Sequence, residues 1–430
     1  MEINQQIKDL VKSFYTNKKT EFVPGKDFVP VSGKVLNNTE IEYMIQAALD
    51  GWLTTGRFNK KFETELSNFL KVKLLITVNS GSSANLIAFS ALTSEKLGER
   101  KISPGDEVIT AAAGFPTTIN PIIQNGAVPV FIDSKLPCCN IDENLIENAI
   151  TKKTKAIMAA HTLGNPFNLD KIVNICKKNN LWLIEDNCDS LGSLYKGKKT
   201  GTFGDIGTLS FYPAHHITMG EGGAVFTNNL RIKNIAQSFR DWGRDCYCET
   251  GVDNTCGKRF DWKIGDLPRG YDHKNTYSHM GYNFKITDMQ AACGLAQLKK
   301  IEKFINQRKE NYEYLYKNFQ EFNEFIEISK ATEHSEPSWF GFLITLKDNI
   351  GFQRDDLCKF LNNNKIGTRL LFAGNVVKQP YMKGRKYKIS GLLKNANKIM
   401  KDTFWIGLYP GLAKDHLDYC HQMFKKFFRK

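Results

Sequence analysis

Nowhere in the 430 residues does an apolar run approach the ~20 that a membrane-crossing helix needs. The first residues, Met-Glu-Ile-Asn-Gln-Gln-Ile-Lys, lack the apolar stretch of a secretory leader, so a cytoplasmic location is the expectation. No five basic residues stand in a row, although 59 Lys and Arg against 45 Asp and Glu leave a formal charge of +14. Such an excess favours anionic partners in general, phosphorylated small molecules among them. Its even spread follows the heavy use of Lys and Asn, and the expectation is no nucleic acid partner and no membrane insertion. Internal repeats and low-complexity linkers are absent. So is a Gly-x-Gly-x-x-Gly fingerprint, which removes the usual site for a nicotinamide or flavin hydride donor.

What is present is an ordinary globular composition, 41% hydrophobic and 24% charged, long enough for two or three domains. Residues 1–30 read as a helix and a loop, 31–290 as a large domain and 291–430 as a smaller α+β domain. Within the large domain seven short apolar segments read as strands: Leu74–Val78, Glu107–Ala111, Val128–Ile132, Ala156–Ala160, Trp182–Glu185, Gly207–Phe211 and Ala224–Thr227. Helical segments separate most of them, which predicts an α/β fold with a mostly parallel sheet covered on both faces. Residues 241–277, rich in Gly, Asp, Cys and aromatics, break the rhythm as an irregular insertion. The ten cysteines, without a leader, are expected as reduced thiols or metal ligands. Most suit small buried positions. Cys246, Cys248 and Cys256 crowd too closely for that default.

Three segments carry chemistry. Asn79-Ser-Gly-Ser-Ser-Ala-Asn85 follows a strand and opens a helix, a cradle for a phosphate, although Ser and Gly there also serve as a plain cap. Leu183-Ile-Glu-Asp-Asn-Cys188 places Asp186 at a strand's carboxyl end, where a carboxylate can hold a pyridinium N–H or cap a helix. Thr208-Leu-Ser-Phe-Tyr-Pro-Ala-His-His-Ile-Thr-Met-Gly-Glu-Gly-Gly223 runs from strand through a Gly-rich turn to strand. A fourth segment, Gly192-Ser-Leu-Tyr-Lys-Gly-Lys-Lys199, nearly fits a nucleotide-binding P-loop. Lys199 stands where the Mg²⁺ hydroxyl belongs, so it reads as a surface hairpin.

Taken together the three segments resemble the nucleotide-sugar aminotransferases of DegT type, pyridoxal-phosphate enzymes of fold type I. Gly51-Trp-Leu-Thr-Thr-Gly56, His161-Thr-Leu-Gly164, Gly281-Tyr-Asn-Phe284 and Tyr409-Pro-Gly411 extend the resemblance from about Val29 to the C-terminus. It implies a seven-stranded, mostly parallel sheet in a large domain with a smaller C-terminal one. It also implies that Ser82 and Ser210 bind the cofactor phosphate with backbone N–H groups near Gly81, and that Phe115 stacks on the pyridine ring. Asp186 would pair with the ring nitrogen, and Asn283 would reach a phosphate across a homodimer interface. Asp189 stands at a cofactor position where the family often has Gln.

Two departures set the expected function. The family's Schiff-base lysine is replaced by His215, and no lysine lies between Lys199 and Lys233. An imidazole forms no Schiff base, so pyridoxamine phosphate (PMP, the amine form of PLP) would be held non-covalently. His215, or the adjacent His216 with the spacing favouring the former, would move protons. The second departure is Cys188, Cys246, Cys248 and Cys256. Taken alone, four thiolates could hold one zinc or a [2Fe-2S] cluster. The set resembles the iron–sulfur branch of the family, the sugar 3-dehydrases, which also carry the Lys-to-His exchange. Cys188 stands two residues past Asp186, so the cluster is expected beside the cofactor. The resemblance implies a lyase that dehydrates a CDP-linked 4-keto-6-deoxyglucose at C3. A flavin and iron–sulfur reductase would supply electrons, and the 3,6-dideoxyhexose formed would enter lipopolysaccharide O-antigen.

Overall fold

The computed structural model describes residues 5–16, 21–246, 248, 251–254 and 257–429. Two helices, α1 (Gln5–Thr16) and α2 (Asn38–Leu49), lead to α3 (Arg57–Leu70), which packs against the first strand. The large sheet is then built from β1 (Leu74–Val78), β2 (Glu107–Ala111), β3 (Val128–Ile132), β4 (Thr154–Ala160), β5 (Trp182–Asp186), β6 (Ile206–Ser210) and β7 (Gly223–Thr227). These coincide with the seven strands read from the sequence to within two residues at either end. Between them run α4 (Gly81–Ala91), α5 (Pro116–Gln124) and α6 (Leu169–Asn179).

The spatial order is β1-β7-β6-β5-β4-β2-β3, with β7 running antiparallel to both its neighbours. The four central pairings among β6, β5, β4, β2 and β3 are parallel. Strands β2, β3, β5, β6 and β7 are buried along their whole length, as expected where helices cover both faces and Val, Ile and Leu fill both sides of the pleat. One apolar core gathers Ile76, Val78, Ile87, Val108, Met158 and Ile184 under α4, and another packs Ile109, Val130, Ile157, Ile172 and Leu183 under α6.

After β7, α7 (Leu230–Arg240) leads into the irregular stretch from Asp241. Among its described residues the only regular element is a short 3₁₀ turn at His273–Asn275. The stretch is tied down at its base. Asp241 bridges Asn283, Arg244 bridges Tyr277, and Gly243 packs so closely on the backbone of His279 and Gly281 that a Cβ there would lie 1.8 Å from the His279 carbonyl oxygen. Helices α8 (Asp288–Leu298) and α9 (Ile301–Phe319) carry the chain to a second core. There a four-stranded sheet, including Gly341–Leu346 and Thr403–Gly407, packs against α10 (Arg354–Asn363) and α12 (Lys414–Phe428), with α11 (Lys394–Asp402) beside it. The two parts interlock: Lys388–Ile389 adds an eighth, parallel strand beside β3, which no periodicity in two residues could announce. Among the described residues no helix is long and apolar enough to cross a membrane.

The loop joining α2 to α3 is fixed from α8. Asp288 is buried and accepts backbone N–H bonds from Gly56 (2.9 Å), Phe58 (3.1 Å) and Asn59 (2.8 Å), so one carboxylate serves the N-terminus of α3 from another helix. Asp288→Ala strands three donors at ~1–3 kcal/mol each before water relieves part of the loss. The expected outcome is a destabilisation of ~2–4 kcal/mol in urea unfolding; an unchanged midpoint would contradict this role.

Candidate active site

Successive residues of β5 point to opposite faces of the sheet, and its last two are both acidic. Glu185 is fully buried and accepts N–H bonds from Gly201, Phe203 and Gly204 at 2.6–2.8 Å, with His161 Nε2 at 3.0 Å. That carboxylate is spent on architecture. Asp186 faces the carboxyl end of the sheet, where open α/β sheets bind ligands. Its Oδ2 accepts from Asn85 Nδ2 (2.8 Å) and Thr118 Oγ1 (2.6 Å), and its Oδ1 from the Cys188 N–H (3.2 Å). Asn85 is itself oriented by the Thr208 hydroxyl, which donates to its Oδ1 at 2.7 Å. A carboxylate offers about four acceptor positions. Three are filled by these donors, and the Cys188 thiol also lies against the carboxylate. Asn85 and Thr208 stand inside the motifs read from the sequence and Thr118 three residues past Phe115, but their service to Asp186 was not legible there.

The turn from β1 into α4 supplies the second part. Ser80 caps the helix by accepting the Ser83 N–H at 3.1 Å, and Ser82 is exposed in the first turn. Gly81 lies against Ser210 at the end of β6. A Cβ on Gly81 would come within 2.4 Å of the Ser210 Cβ and 2.8 Å of its Oγ. Only a glycine lets these two strands' ends close into one pocket with a helix N-terminus on one side and a hydroxyl on the other, the donor set that suits a phosphate. Phe115, at the N-cap position of α5, is 47% exposed and meets Phe372 edge-on at 6.0 Å. Asn283 is exposed, with Lys285 Nζ donating to its Oδ1 at 2.9 Å. The next residue, Phe284, accepts the Asn79 N–H at 2.8 Å, so the strip carrying Asn283 abuts the turn before the cradle.

His215 and His216 have different surroundings. His216 is buried, with Nε2 on the Ser338 carbonyl oxygen at 2.8 Å. His215 places Nδ1 3.4 Å from Asp189 Oδ1, leaving Nε2 as the ring nitrogen for a ligand. The sequence expectation put Asp189 on the cofactor; in the fold its carboxylate is turned to this imidazole. Burial pulls His215 down to about 4, against the pull of Asp186, and pushes Asp189 up to about 8. The one cation facing this group is Arg308 of α9, itself fully buried and drawn down to about 9 by burial. Its Nη1 donates to the carbonyls of Trp339 (3.2 Å) and Phe340 (3.0 Å), and its Nη2 lies 3.5 Å from the His215 carbonyl. No spacing pattern pointed to Arg308.

Cys246 Sγ, Cys248 Sγ and a ring nitrogen of His273 lie within 4.8 Å of one another. Two thiols and an imidazole are soft donors of the kind that hold zinc or iron–sulfur groups. Burial and the adjoining Cys248 push the Cys246 thiol up, while Lys274 opposes them. His273 is fully buried, leans on Trp262 (5.3 Å), and receives its place from Arg259, whose carbonyl accepts its N–H and whose guanidinium holds Asp272 at 2.7 Å. His273 was not among the expected ligands: it stands well beyond the cysteines in sequence and shares no spacing with them. Cys256 lies outside the described residues. Cys188 is not in the group, its thiol being buried against Asp186 and Thr208. Cys248 instead lines a cleft of about 740 Å³ with Trp52, Arg57, Lys60 and Lys233, floored by Leu75 and Ile76 of edge strand β1.

Residues 34–425 match the model of the DegT/DnrJ/EryC1/StrS aminotransferase family. The chain is 61% identical to the lipopolysaccharide biosynthesis protein RfbH of Salmonella typhimurium, over 99% of this chain and 98% of that protein. It is 50% identical to the dTDP-4-dehydro-2,6-dideoxy-D-glucose 3-dehydratase of Saccharopolyspora spinosa, over 95% and 88%. Among solved structures, GDP-4-keto-6-deoxy-D-mannose-3-dehydratase from E. coli with bound hydrated PLP superposes with a TM-score of 0.83 at 30% identity, covering 92% of this chain and 99% of that one.

Two outcomes follow from the geometry. Gly81→Ala forces Ser210 out of the cradle, and PMP titration followed by fluorescence should show affinity reduced tenfold or more; undiminished binding would show that the cradle does not hold the phosphate. His215 is a base over the range above about 4. The acid limb of kcat/KM, which reports the free protein, should therefore fall near 4, and a limb near 6.5 would mean a solvated imidazole.

Proposed function

Since the chain belongs to the DegT/DnrJ/EryC1/StrS aminotransferase family, we propose that it uses that scaffold to remove the C3 hydroxyl of a nucleotide-linked 4-keto-6-deoxyhexose, as a 3-dehydratase and not as an aminotransferase. The observation that carries this reading is the imidazole of His215, backed by Asp189 at 3.4 Å, on a turn that contains no lysine.

The residues fit PMP: Gly81, Ser82 and Ser210 for the phosphate, Phe115 for the ring face, and Asp186 at the carboxyl end of β5 for the ring N–H. When bound, PMP supplies a primary amine for the sugar's keto carbon and a protonated ring that accepts electron density. Asp186, held by three donors, keeps that ring nitrogen protonated. His215 Nε2 would accept a proton from the methylene carbon bearing the amine and hold it for return to the departing C3 oxygen. Asp189 Oδ1 lies 3.4 Å from Nδ1, placed to pair with the ring once it carries a proton. With side chains 15% and 12% exposed, His215 and Asp189 are largely shielded from solvent, and burial keeps the imidazole neutral before substrate arrives.

Reducing the dehydrated sugar takes two further electrons, and the sequence has no dinucleotide fingerprint to bring a hydride. A [2Fe-2S] cluster at the cysteine site would supply them singly, and Cys246, Cys248 and His273 are donors of the right type. We assign the electron supply to a separate flavin and iron–sulfur reductase. We further read the protein as a cytoplasmic homodimer in which Asn283 reaches the partner's phosphate, with a large domain at 31–290 and a small one at 291–430. CDP is the base we carry for the substrate. The name of the 61% identical Salmonella relative supports an end product destined for lipopolysaccharide.

Borohydride should fix no PLP to the wild-type protein at this turn. His215→Lys should be fixed there, with dehydration lower by ~10²–10⁴-fold, the usual worth of a positioned acid or base. Asp186→Asn should bind PMP at higher concentration without recovering rate at saturation. Solvent hydrogen exchange at the PMP methylene carbon that survives in His215→Asn and is lost in His216→Asn would transfer the proton role to His216.

A further inference from the structure

Cys188 and the pair Cys246 and Cys248 are separated by the sheet itself. Cys188 follows β5, its N–H on Asp186 and its thiol buried against Asp186 and Thr208. Cys248 lies at the opposite flank, in the cleft floored by Leu75 and Ile76 of β1. Between β5 and β1 stand β6 and β7. Three strand steps of ~4.8 Å set β5 and β1 ~14 Å apart across the sheet. Thiolates on one metal ion at ~2.3 Å lie within ~5 Å of each other, and a second ion extends that by far less than the remaining gap. Asp241, Arg244 and Gly243 pin the base of the insertion to Asn283, Tyr277 and His279, so it cannot swing over the sheet as a whole.

Both ends are also rimmed by apolar side chains left open to solvent. Around the insertion these are Trp52 (46% exposed), Leu53 (57%), Tyr277 (55%) and Met280 (93%). Beside the Asp186 site they are Phe115 (47%) and Tyr212 (52%). Two different patches on one chain, each too costly to leave wet, are what a two-fold axis joins: the insertion of one copy covers the cleft of the other, and the reverse. Resting on the dimeric, iron-containing 3-dehydratase proposed above, the geometry points to a metal centre shared between two copies of this chain. Cys188 comes from one copy, and Cys246 and Cys248 with His273 beside them come from the other. The cleft that holds the ring of one subunit is then wired by the insertion of its partner, and a monomer holds neither centre whole.

The test is a hybrid dimer. Cys188→Ser and the double variant Cys246→Ser, Cys248→Ser are expressed together with different affinity tags, and the doubly tagged dimer is isolated. Each parent homodimer should be nearly free of iron. The hybrid pairs the intact Cys188 of the double variant with the intact Cys246 and Cys248 of the other chain, so one of its two centres is whole. It should carry about half the iron and visible absorbance of the wild-type dimer. Iron in the wild type with none in the hybrid overturns the shared centre alone. A full iron complement in the Cys188→Ser homodimer places the centre within one chain and overturns it too. Wild-type protein that takes up no iron overturns the iron–sulfur reading beneath it. Should a Ser variant misfold, mild oxidation of the iron-free wild type gives the same answer. A Cys188 link to Cys246 or Cys248 at dimer mass on a non-reducing gel supports the shared site, and that link at monomer mass refutes it.

Discussion

The site depends on one carboxylate held in place by buried donors. Asp186 ends the strand at the centre of the large sheet, and Asn85, Thr118 and the Cys188 backbone each donate to it. These donors come from α4, α5 and the loop after β5, three elements that the parallel sheet brings together only at its carboxyl end. The same convergence places the Gly81 and Ser210 contact one strand away and Phe115 above it. Without the buried donors, the carboxylate would lose its fixed orientation toward a pyridine nitrogen. The neighbouring Glu185 shows the contrast: with four partners from one loop and His161, it has no acceptor capacity to spare.

The charge balance around His215 explains why a histidine can stand where an aminotransferase needs a lysine. An amine poised for covalent chemistry must tolerate being charged. An imidazole buried beside Asp189, with Arg308 beyond, rests neutral and can both accept and return a proton. Arg308 costs desolvation energy, which its bonds to the carbonyls of Trp339 and Phe340 offset. It ties the proton-moving turn to the second domain through α9.

How much of this was legible in the sequence varied with the range of the interaction. The seven strands were legible because continuous Val, Ile and Leu runs have one structural meaning between helices. The eighth, Lys388–Ile389, was not, since two residues carry no period and its partner β3 lies far back in the chain. Asp186, Gly81 and Ser210 announced themselves by standing at strand ends in Gly and Ser motifs. Asp189 was read as a cofactor residue, and its contact with His215 emerged only from the fold. His273 and Arg308 could not be read at all: their roles come from a loop and a helix that meet distant partners in space without a repeat or spacing in common. The cysteines give the sharpest case. Four cysteines suggested one centre; among the described residues Cys246 and Cys248 group with His273, while Cys188 lies against Asp186.

The central claim is C–O cleavage at C3 without amino transfer. Its most direct measure is anaerobic incubation of the protein with PMP and CDP-4-keto-6-deoxyglucose in ¹⁸O-water, with no reductant, and the carbon spectrum of the recovered sugar. Reversible loss and return of the hydroxyl predicts an ¹⁸O-shifted resonance at C3 in addition to the exchange that any ketone shows at C4. A C3 resonance that stays unshifted while a 4-amino sugar accumulates would contradict the account.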